Sequence, residues 1–309
     1  FISGVARVTI DQGRVVDLSF QDSYAVDDFS RPYPDPPRPL REIMGAQLWL
    51  FRDSNWDPDF PTTAQKAIEL YNWSQDGAID GVLALDQRGL QLLVAALEPL
   101  QVAETPDPLT RDNVVAALRE SWAPAAGAGF SEAWRAGRKD FIGRLLTTVV
   151  NRLQHEPAQV DPGGLAWALF TALNERHLFA YLPQAGSAAE TLRETGWDGA
   201  LRQPPGDYLM VVDANVGFNK VNPHIGESLS YSVDLRDVVQ PRATLTLLHR
   251  HGGQATGQPC RHESRYDLTY AQMMQRCYWD YVRVYTPLGS RPLEAALHPV
   301  PADLLVTGQ

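Results

Sequence analysis

The chain opens with alternating apolar and polar positions that predict a β-hairpin over residues 5–19. Val5, Val8 and Ile10 precede the turn sequence Asp11-Gln12-Gly13, and alternation resumes directly after it. Period-two alternation is typical of a half-buried strand, and a short turn containing glycine is typical of a hairpin.

The following segments alternate between helical and strand-like patterns. Residues 62–73 carry apolar side chains at helical spacing, whereas residues 81–86 form a short, continuously apolar run. Such a run is typical of a strand buried on both faces, in a sheet covered by helices. Helical spacing also occurs over residues 90–97, 111–121, 132–153 and 164–175, and a short strand is predicted over residues 179–182. This alternation indicates α/β architecture.

The pattern changes near Pro204-Pro205-Gly206. Beyond this point period-two alternation predicts strands over residues 208–212, 229–235, 243–250 and 281–285. We therefore expect two domains, an α/β domain over residues 1–203 and an antiparallel β module of the sandwich type over residues 204–309.

Composition narrows the class of protein. The formal net charge of −10 argues against nucleic acid as a partner. No segment has the apolar length of a membrane-spanning helix. Because the chain starts at Phe1, inside a strand-like run, we interpret it as an N-terminally truncated fragment and expect any leader or anchor upstream.

The chain has two cysteines, Cys260 and Cys277, which are too few for a zinc site. We favour a disulfide between them, and the alternative is that both are reduced residues of the core.

Residues 50–61 form the first candidate site. This loop combines carboxylates, a cation, an amide and aromatic rings, among them Arg52, Asp53, Asn55, Trp56, Asp57 and Asp59. Pro58 and Pro61 restrict the backbone and predict an ordered loop, where binding residues commonly concentrate. The alternative is that Asp57 and Asp59 only satisfy backbone donors, as turn and helix-cap residues.

The second candidate site is a basic cluster over residues 134–144. Arg135, Arg138 and Lys139 share a helical face, and Arg144 lies about a quarter-turn away. Opposite an acidic loop, these cations would hold a pyrophosphate while Asp53, Asp57 and Asp59 held Mg²⁺. The alternative is a solvated basic face with Asp140 as its partner.

Two further metal patterns are weaker. His249, His251 and His262 lack an acidic or cysteine ligand at metal-site spacing, so the sequence disfavours zinc there. Residues 213–219 resemble part of a calcium loop but lack its downstream glutamate, which favours a tight turn.

Several segments resemble a bacterial family of unknown function, the domain-of-unknown-function family numbered 4012. They are residues 52–61, 80–86, 206–215 and 281–287. A more distant resemblance carries chemistry: residues 79–97 are similar to a strand and helix of the LytR-CpsA-Psr enzymes, and residues 135–144 to their arginine-rich motif.

The second resemblance implies a mixed sheet flanked by helices, located outside the cytoplasmic membrane. It also implies transfer of a glycopolymer from a polyprenyl pyrophosphate carrier, with Mg²⁺ and arginines on the pyrophosphate. Carried over by position, Arg135 and Arg138 would hold phosphates, and Asp22 would be the strand-end aspartate. The family's arginine before that aspartate is Gln21 here, and its early Arg-x-Asp motif would fall before Phe1.

These resemblances lead to two functional hypotheses. In the first, an N-terminal anchor that is missing from this chain keeps the protein near the membrane, where it binds a polyprenyl-pyrophosphate-linked glycan. It then transfers the glycan, with Asp22, Arg52 and Asp53 as catalytic residues. Asn55, Trp56, Lys139 and Arg144 would contact the ligand. In the second, the same fold is a non-catalytic binding or scaffold protein of the cell envelope.

Overall fold

The computed structural model describes residues 2–75, 77–122, 137, 139–254, 257, 259–264, 267 and 269–295. By internal contacts the chain divides into two compact units. The first contains the residues up to Arg38 together with Ala46–Pro205, and the second contains Pro39–Gly45 together with the residues from Gly206 onward. The second unit therefore includes a short segment from the early part of the chain.

Helices predominate in the first unit and strands in the second. The helices are α1 (Arg38–Met44), α2 (Phe60–Ser74), α3 (Gln87–Leu97), α4 (Val114–Trp122), α5 (Asp140–His155), α6 (Pro162–Asn174), α7 (Ser187–Thr195) and α8 (Tyr270–Met274). The strands are β1 (Gly4–Asp11), β2 (Arg14–Asp22), β3 (Val82–Leu85), β4 (Leu178–Tyr181), β5 (Met210–Asn215), β6 (Ile225–Asp234), β7 (Arg242–His251) and β8 (Asp280–Tyr285).

Every helix and strand predicted from periodicity has a counterpart among these elements, although residues 132–136 of one predicted helix lie outside the described residues. Helices α1, α7 and α8 have no counterpart among the predicted elements.

The predicted N-terminal hairpin is confirmed. Strands β1 and β2 pair antiparallel from Gly4 opposite Asp22 to Asp11 opposite Arg14. Gln12 and Gly13 form the turn with φ values of 49° and 77°. Positive φ at both central residues is the conformation of a tight hairpin turn, which favours glycine at the second position.

Helix α2 positions the loop that precedes it. Leu70 and Tyr71 are buried in a cluster with Val26 and with Phe51 from a 3₁₀ turn at Phe51–Trp56. The Phe51 and Tyr71 rings lie edge to face, with 6.0 Å between their centroids. This packing holds the Phe51–Trp56 turn, and therefore Arg52 and Asp53, against the helix.

A second cluster joins α3, α4 and α5 in the first unit. Its buried members are apolar side chains from these helices and from the segment between α3 and α4: Val94, Leu97, Leu100, Val102, Leu109, Val114, Phe141 and Leu145. Gln154 of α5 also donates a hydrogen bond of 3.2 Å to the carbonyl of Val15 in β2. Helix α5 is thereby held beside the N-terminal hairpin.

The prediction that the strand at residues 81–86 is buried on both faces is wrong. Strand β3 pairs only with β4 in the described sheet, and this pair presents Phe179 toward α2, 5.3 Å from the Phe60 ring. Leu83 lies on the other face and is 75% exposed. The burial differs from the prediction because α2 covers one face, while the described part of the chain leaves Leu83 in solvent.

The second unit contains two antiparallel strand pairs. Strands β6 and β7 form a ten-residue ladder, and β5 pairs with β8. Cys260 and Cys277 are joined by a disulfide, with their Cα atoms 5.7 Å apart. The bridge encloses α8, whose Met273 is buried.

The fold is mixed α/β with small antiparallel sheets. Each sheet in the described residues has two strands. The LytR-CpsA-Psr type of sheet and the sandwich stay predictions. No described helix combines the length and apolar character required to cross a bilayer.

Candidate functional site

Asp22 closes β2 and is held by groups at the strand end. Its carboxylate caps a 3₁₀ turn at Ser23–Ala25 by accepting a hydrogen bond of 3.0 Å from the backbone N–H of Tyr24. The Nζ atom of Lys139 lies 2.6 Å from Asp22 Oδ1, and both side chains are almost fully shielded from solvent. The pair is a buried, charge-assisted hydrogen bond between residues 117 positions apart.

Two cations converge on the ring of Tyr24. The guanidinium carbon of Arg52 lies 4.5 Å from the ring centroid, and Lys139 Nζ lies 5.0 Å from it. Cations within about 6 Å of an aromatic face are attracted by the negative charge density of that face. The Tyr24 site, defined as Asp22, Tyr24, Arg52, Asp53 and Lys139, therefore brings two cations and two carboxylates together around one aromatic ring.

Two carboxyl groups near Arg52, those of Asp53 and Asp27, are partly shielded from solvent. Arg52 Nε lies 3.6 Å from Asp53 Oδ2. Burial raises the pKa of Asp53 above its ordinary value, and the charge of Arg52 opposes this shift. Burial likewise raises the pKa of Asp27, whose Oδ1 accepts a hydrogen bond from Phe51 N. Because burial penalises the charged form, both carboxyls hold protons more tightly than exposed ones.

Tyr24 and Asp27 are absent from the sequence-based site. They follow the hairpin directly, but no spacing motif links them to Arg52. Their roles depend on the packing of the residues after β2 against the Phe51–Trp56 turn, which local patterning does not reveal.

The remaining acidic residues of the loop bind backbone groups. Asp57 Oδ1 accepts from the N–H of Asp59, at 2.8 Å. Asp59 is the N-cap of α2, accepting from Thr62 N at 3.0 Å, and its other oxygen accepts from Leu201 N at 2.8 Å. Asp57 and Asp59 therefore make the contacts expected if they serve as turn and helix-cap residues.

Asp53, Asp57 and Asp59 do not gather into a metal-ligand group among the described residues, where ligand atoms of such a group would lie within 4.8 Å of one another. Asn55 is exposed in the Phe51–Trp56 turn, and Trp56 ends that turn half-buried.

The basic cluster is only partly visible. Arg135 and Arg138 lie outside the described residues. Lys139 precedes α5 and is paired with Asp22, not with the neighbouring Asp140. Arg144 Nη1 lies 3.3 Å from Glu104 Oε2. Lys139 thus reaches the Tyr24 site, whereas Arg144 pairs with an exposed carboxylate elsewhere in the first unit.

The three candidate histidines of the second unit lie in different environments. His262 is buried, donates a hydrogen bond of 2.6 Å to the Val216 carbonyl, and contacts the rings of Phe218 and Trp279. His251 Nε2 donates to the Arg276 carbonyl at 2.8 Å. His249 alone of the three lies beside two aspartates. His262 and His251 therefore have structural roles.

Two open clefts are lined without any residue of the Tyr24 site. One, of about 390 Å³ in the first unit, is lined by residues that include Asp59, Tyr181, Arg193 and Arg202. Another, of about 350 Å³ in the second unit, is lined in part by Cys277 and Trp279. The charged cluster and these concave surfaces therefore do not coincide.

Comparison with known proteins gives one family match. No curated protein and no solved structure matches the chain. The matched region, residues 1–122, includes the segments 52–61 and 80–86 that carry the family resemblance, whereas residues 206–215 and 281–287 lie outside it. The resemblance to the LytR-CpsA-Psr enzymes stays a prediction. Residues 1–122 are thus similar to the family described as Protein of unknown function (DUF4012).

Proposed function

We propose that the protein acts outside the cytoplasmic membrane in envelope biogenesis, and that its first unit binds a polyprenyl-pyrophosphate-linked glycan. The observation that supports this most directly is the convergence of Arg52 and Lys139 on Tyr24. A guanidinium group is suited to phosphate because its planar N–H groups donate paired hydrogen bonds. Arg52 is the residue that would contact a phosphate first, since Lys139 is buried against Asp22.

Two properties of the whole chain agree with this location and ligand. The disulfide between Cys260 and Cys277 is typical of an oxidising compartment. The net charge of −10 is unfavourable for a nucleic-acid ligand, whose phosphates would be repelled over most of the surface. Cations gathered at one place on an acidic protein therefore favour a compact anionic headgroup.

In this proposal the fold corresponds to a LytR-CpsA-Psr-like sheet with helices, followed by a sandwich-like β module. An upstream anchor would keep the first unit near the membrane. Transfer of the glycan would rely on stabilisation of phosphate charge by Arg52 and by the arginines at positions 135 and 138.

Mg²⁺ does not fit the set Asp53, Asp57 and Asp59, because these residues do not gather into one group and because Asp57 Oδ1 and both carboxylate oxygens of Asp59 accept hydrogen bonds from backbone N–H groups. Asp53 remains the one member of that set in the Tyr24 site. We therefore place Mg²⁺ in the proposal only as an ion carried by the pyrophosphate, and assign no step of the transfer to it.

The alternative is a non-catalytic binding or scaffold protein of the envelope. The geometry of Asp22 favours this alternative over transfer. Its Oδ1 accepts hydrogen bonds from both Lys139 and Tyr24 N. A carboxylate engaged in this way stabilises the strand end and is poorly placed to activate an acceptor hydroxyl.

The proposal is tested by thermal unfolding with a short-chain polyprenyl pyrophosphate, with and without Mg²⁺. The ligand should stabilise the native chain, because a ligand that binds only the folded state raises its stability. Arg52→Gln should lose this stabilisation. Arg111→Gln should retain it, since Arg111 is exposed and pairs with the exposed Asp112.

Equal stabilisation of native protein and Arg52→Gln would contradict the proposed site, and absence of any stabilisation would contradict binding. If binding is found, an assay for glycan transfer to an acceptor separates the two hypotheses. Turnover that Asp22→Asn abolishes would support catalysis, and binding without turnover would support the scaffold.

A further inference from the structure

Three side chains from separate strands of the second unit meet at one place. Asp213 lies in β5, Asp280 begins β8, and His249 lies in β7. Asp213 pairs with Val282 and Asp280 with Asn215, so the two aspartates are diagonal neighbours on the same face of the β5–β8 pair. The His249 ring approaches from the other strand pair. We call Asp213, His249 and Asp280 the Asp-His-Asp cluster.

The donor atoms of this cluster are close enough to share one ion. His249 Nε2 lies 3.3 Å from Asp213 Oδ1 and 3.6 Å from Asp280 Oδ2. All three donor atoms lie within 4.8 Å of one another, and no other such group occurs among the residues that the structure describes. Ligands of a tetrahedral ion with bonds of about 2.05 Å are separated by about 3.3 Å. The observed spacings are therefore those of a site that needs little rearrangement to bind a metal.

Two carboxylate oxygens of the cluster are buried and make no well-formed hydrogen bond in the described part of the chain, although His249 Nε2 lies near both. Asp213 Oδ1 and Asp280 Oδ2 are shielded from solvent, and no described group makes a well-aligned hydrogen bond to either atom. The second oxygen of Asp280 accepts from Ala214 N at 3.1 Å, which fixes the carboxylate. Two buried carboxylates facing each other are unfavourable unless a cation or a proton lies between them.

We propose that the Asp-His-Asp cluster binds a divalent transition-metal ion, with Zn²⁺ as the best match to its ligands. One imidazole and two carboxylates are hard-to-borderline donors, and the imidazole selects against Mg²⁺ and Ca²⁺. Three protein ligands leave a coordination position for water or an external ligand. The site lies in the second unit, so it does not depend on the proposed function of the first.

The pKa values of Asp280 and of its neighbour Tyr278 are both raised in this environment. Desolvation raises the pKa of Asp280 to about 7, and the negative charge of Asp213 acts in the same direction. Desolvation and the charges of both aspartates also raise the pKa of Tyr278, whose ring lies 5.9 Å from His249.

The test measures Zn²⁺ binding by calorimetry and thermal unfolding, after treatment with a chelator. The native chain should bind one Zn²⁺ ion and gain stability. Asp280→Asn and His249→Gln should each weaken binding by roughly tenfold or more, because each removes a ligand. His251→Gln is the matched control: it removes an exposed histidine two residues away on the same strand, and should bind Zn²⁺ as the native chain does.

Asp280→Asn also separates a lost ligand from a misfolded variant. In chelator it should be at least as stable as the native chain, because it removes one of two facing buried carboxylates. In Zn²⁺ it should gain clearly less stability than the native chain. The proposal is overturned if the native chain does not bind Zn²⁺, or if His249→Gln binds Zn²⁺ as tightly as the native chain does.

Discussion

Lys139 shows how a residue's role depends on a partner far away in sequence. The chain places Asp140 beside it, yet its ammonium is paired with Asp22 of the N-terminal hairpin. A buried pair of this kind offsets the desolvation of both charges, whereas either charge left alone would be strongly unfavourable. The sequence shows that position 139 is basic, but neither the burial of Lys139 nor its partner could be predicted from it.

Asp53 should make the protein less stable as pH rises from acidic to neutral values. Burial raises its pKa in the folded state, so the folded protein holds the proton more tightly than the unfolded chain. Its stabilising contribution is complete below the ordinary pKa of 3.8 and is lost as pH passes the raised value. In denaturant unfolding at several pH values, Asp53→Asn should therefore gain stability relative to the native chain as pH rises.

Asp28→Asn is the control of opposite sign. Hydrogen bonds from Ser30 lower the pKa of Asp28, so its contribution is present above the ordinary pKa and is lost on acidification. This variant should lose stability relative to the native chain as pH rises. A difference for Asp53→Asn that is constant with pH would show that Arg52 cancels the effect of burial on the Asp53 pKa, and one that follows the Asp28→Asn trend would show that Arg52 outweighs it.

At the scale of elements, periodicity predicted where helices and strands lie, because side-chain spacing is a local property. It did not predict how many faces of an element are covered. Strand β3 has a continuously apolar sequence, but Leu83 is exposed while its neighbours Val82 and Ala84 are half-buried. Coverage depends on which helices pack on the sheet, and that is decided by contacts between distant segments.

Helix α2 should lose stability when its N-cap is removed. Asp59 accepts hydrogen bonds from Thr62 N and Leu201 N, so Asp59→Ala should lower the free energy of unfolding by about 1–2 kcal/mol. Asp57→Ala is the control within the same loop, because Asp57 is exposed and its side chain accepts only the hydrogen bond from Asp59 N among the described contacts. Its loss should be clearly smaller.

The comparison also tests the predicted metal role of this loop. If Asp57 and Asp59 bound Mg²⁺, both variants would weaken Mg²⁺-dependent stabilisation, irrespective of the cap. Denaturant unfolding of both variants with and without Mg²⁺ distinguishes the two roles. Equal stability losses for the two alanine variants would contradict the capping interpretation.

At the scale of the whole molecule, the two units have different sources of stability. The first unit has two apolar clusters built from its helices and turns. The second unit has a largely exposed β6–β7 pair and a disulfide around α8. A covalent link compensates for limited apolar burial by restricting the unfolded chain.

Removal of the disulfide should therefore affect the second unit most. The disulfide joins residues 17 positions apart, and removal of a cross-link that closes a loop of this size lowers the free energy of unfolding by about 3 kcal/mol. Cys260→Ser combined with Cys277→Ser should accelerate amide hydrogen exchange in β5–β8 and α8, measured by mass spectrometry. Exchange in α3 and α5 provides the internal reference. Unchanged exchange in the second unit would show that the bridge adds no stability there.

The sequence by itself determined the local features of this protein: the hairpin, the positions of most helices and strands, and the acidic charge balance. These depend on side-chain period, turn chemistry and composition, which act over a few residues. Only the tertiary structure decided that Asp22 holds Lys139, that Arg52 lies over Tyr24, and that Asp213, His249 and Asp280 meet. Those arrangements bring together residues that are far apart along the chain, because burial of apolar side chains fixes how the strands and helices pack.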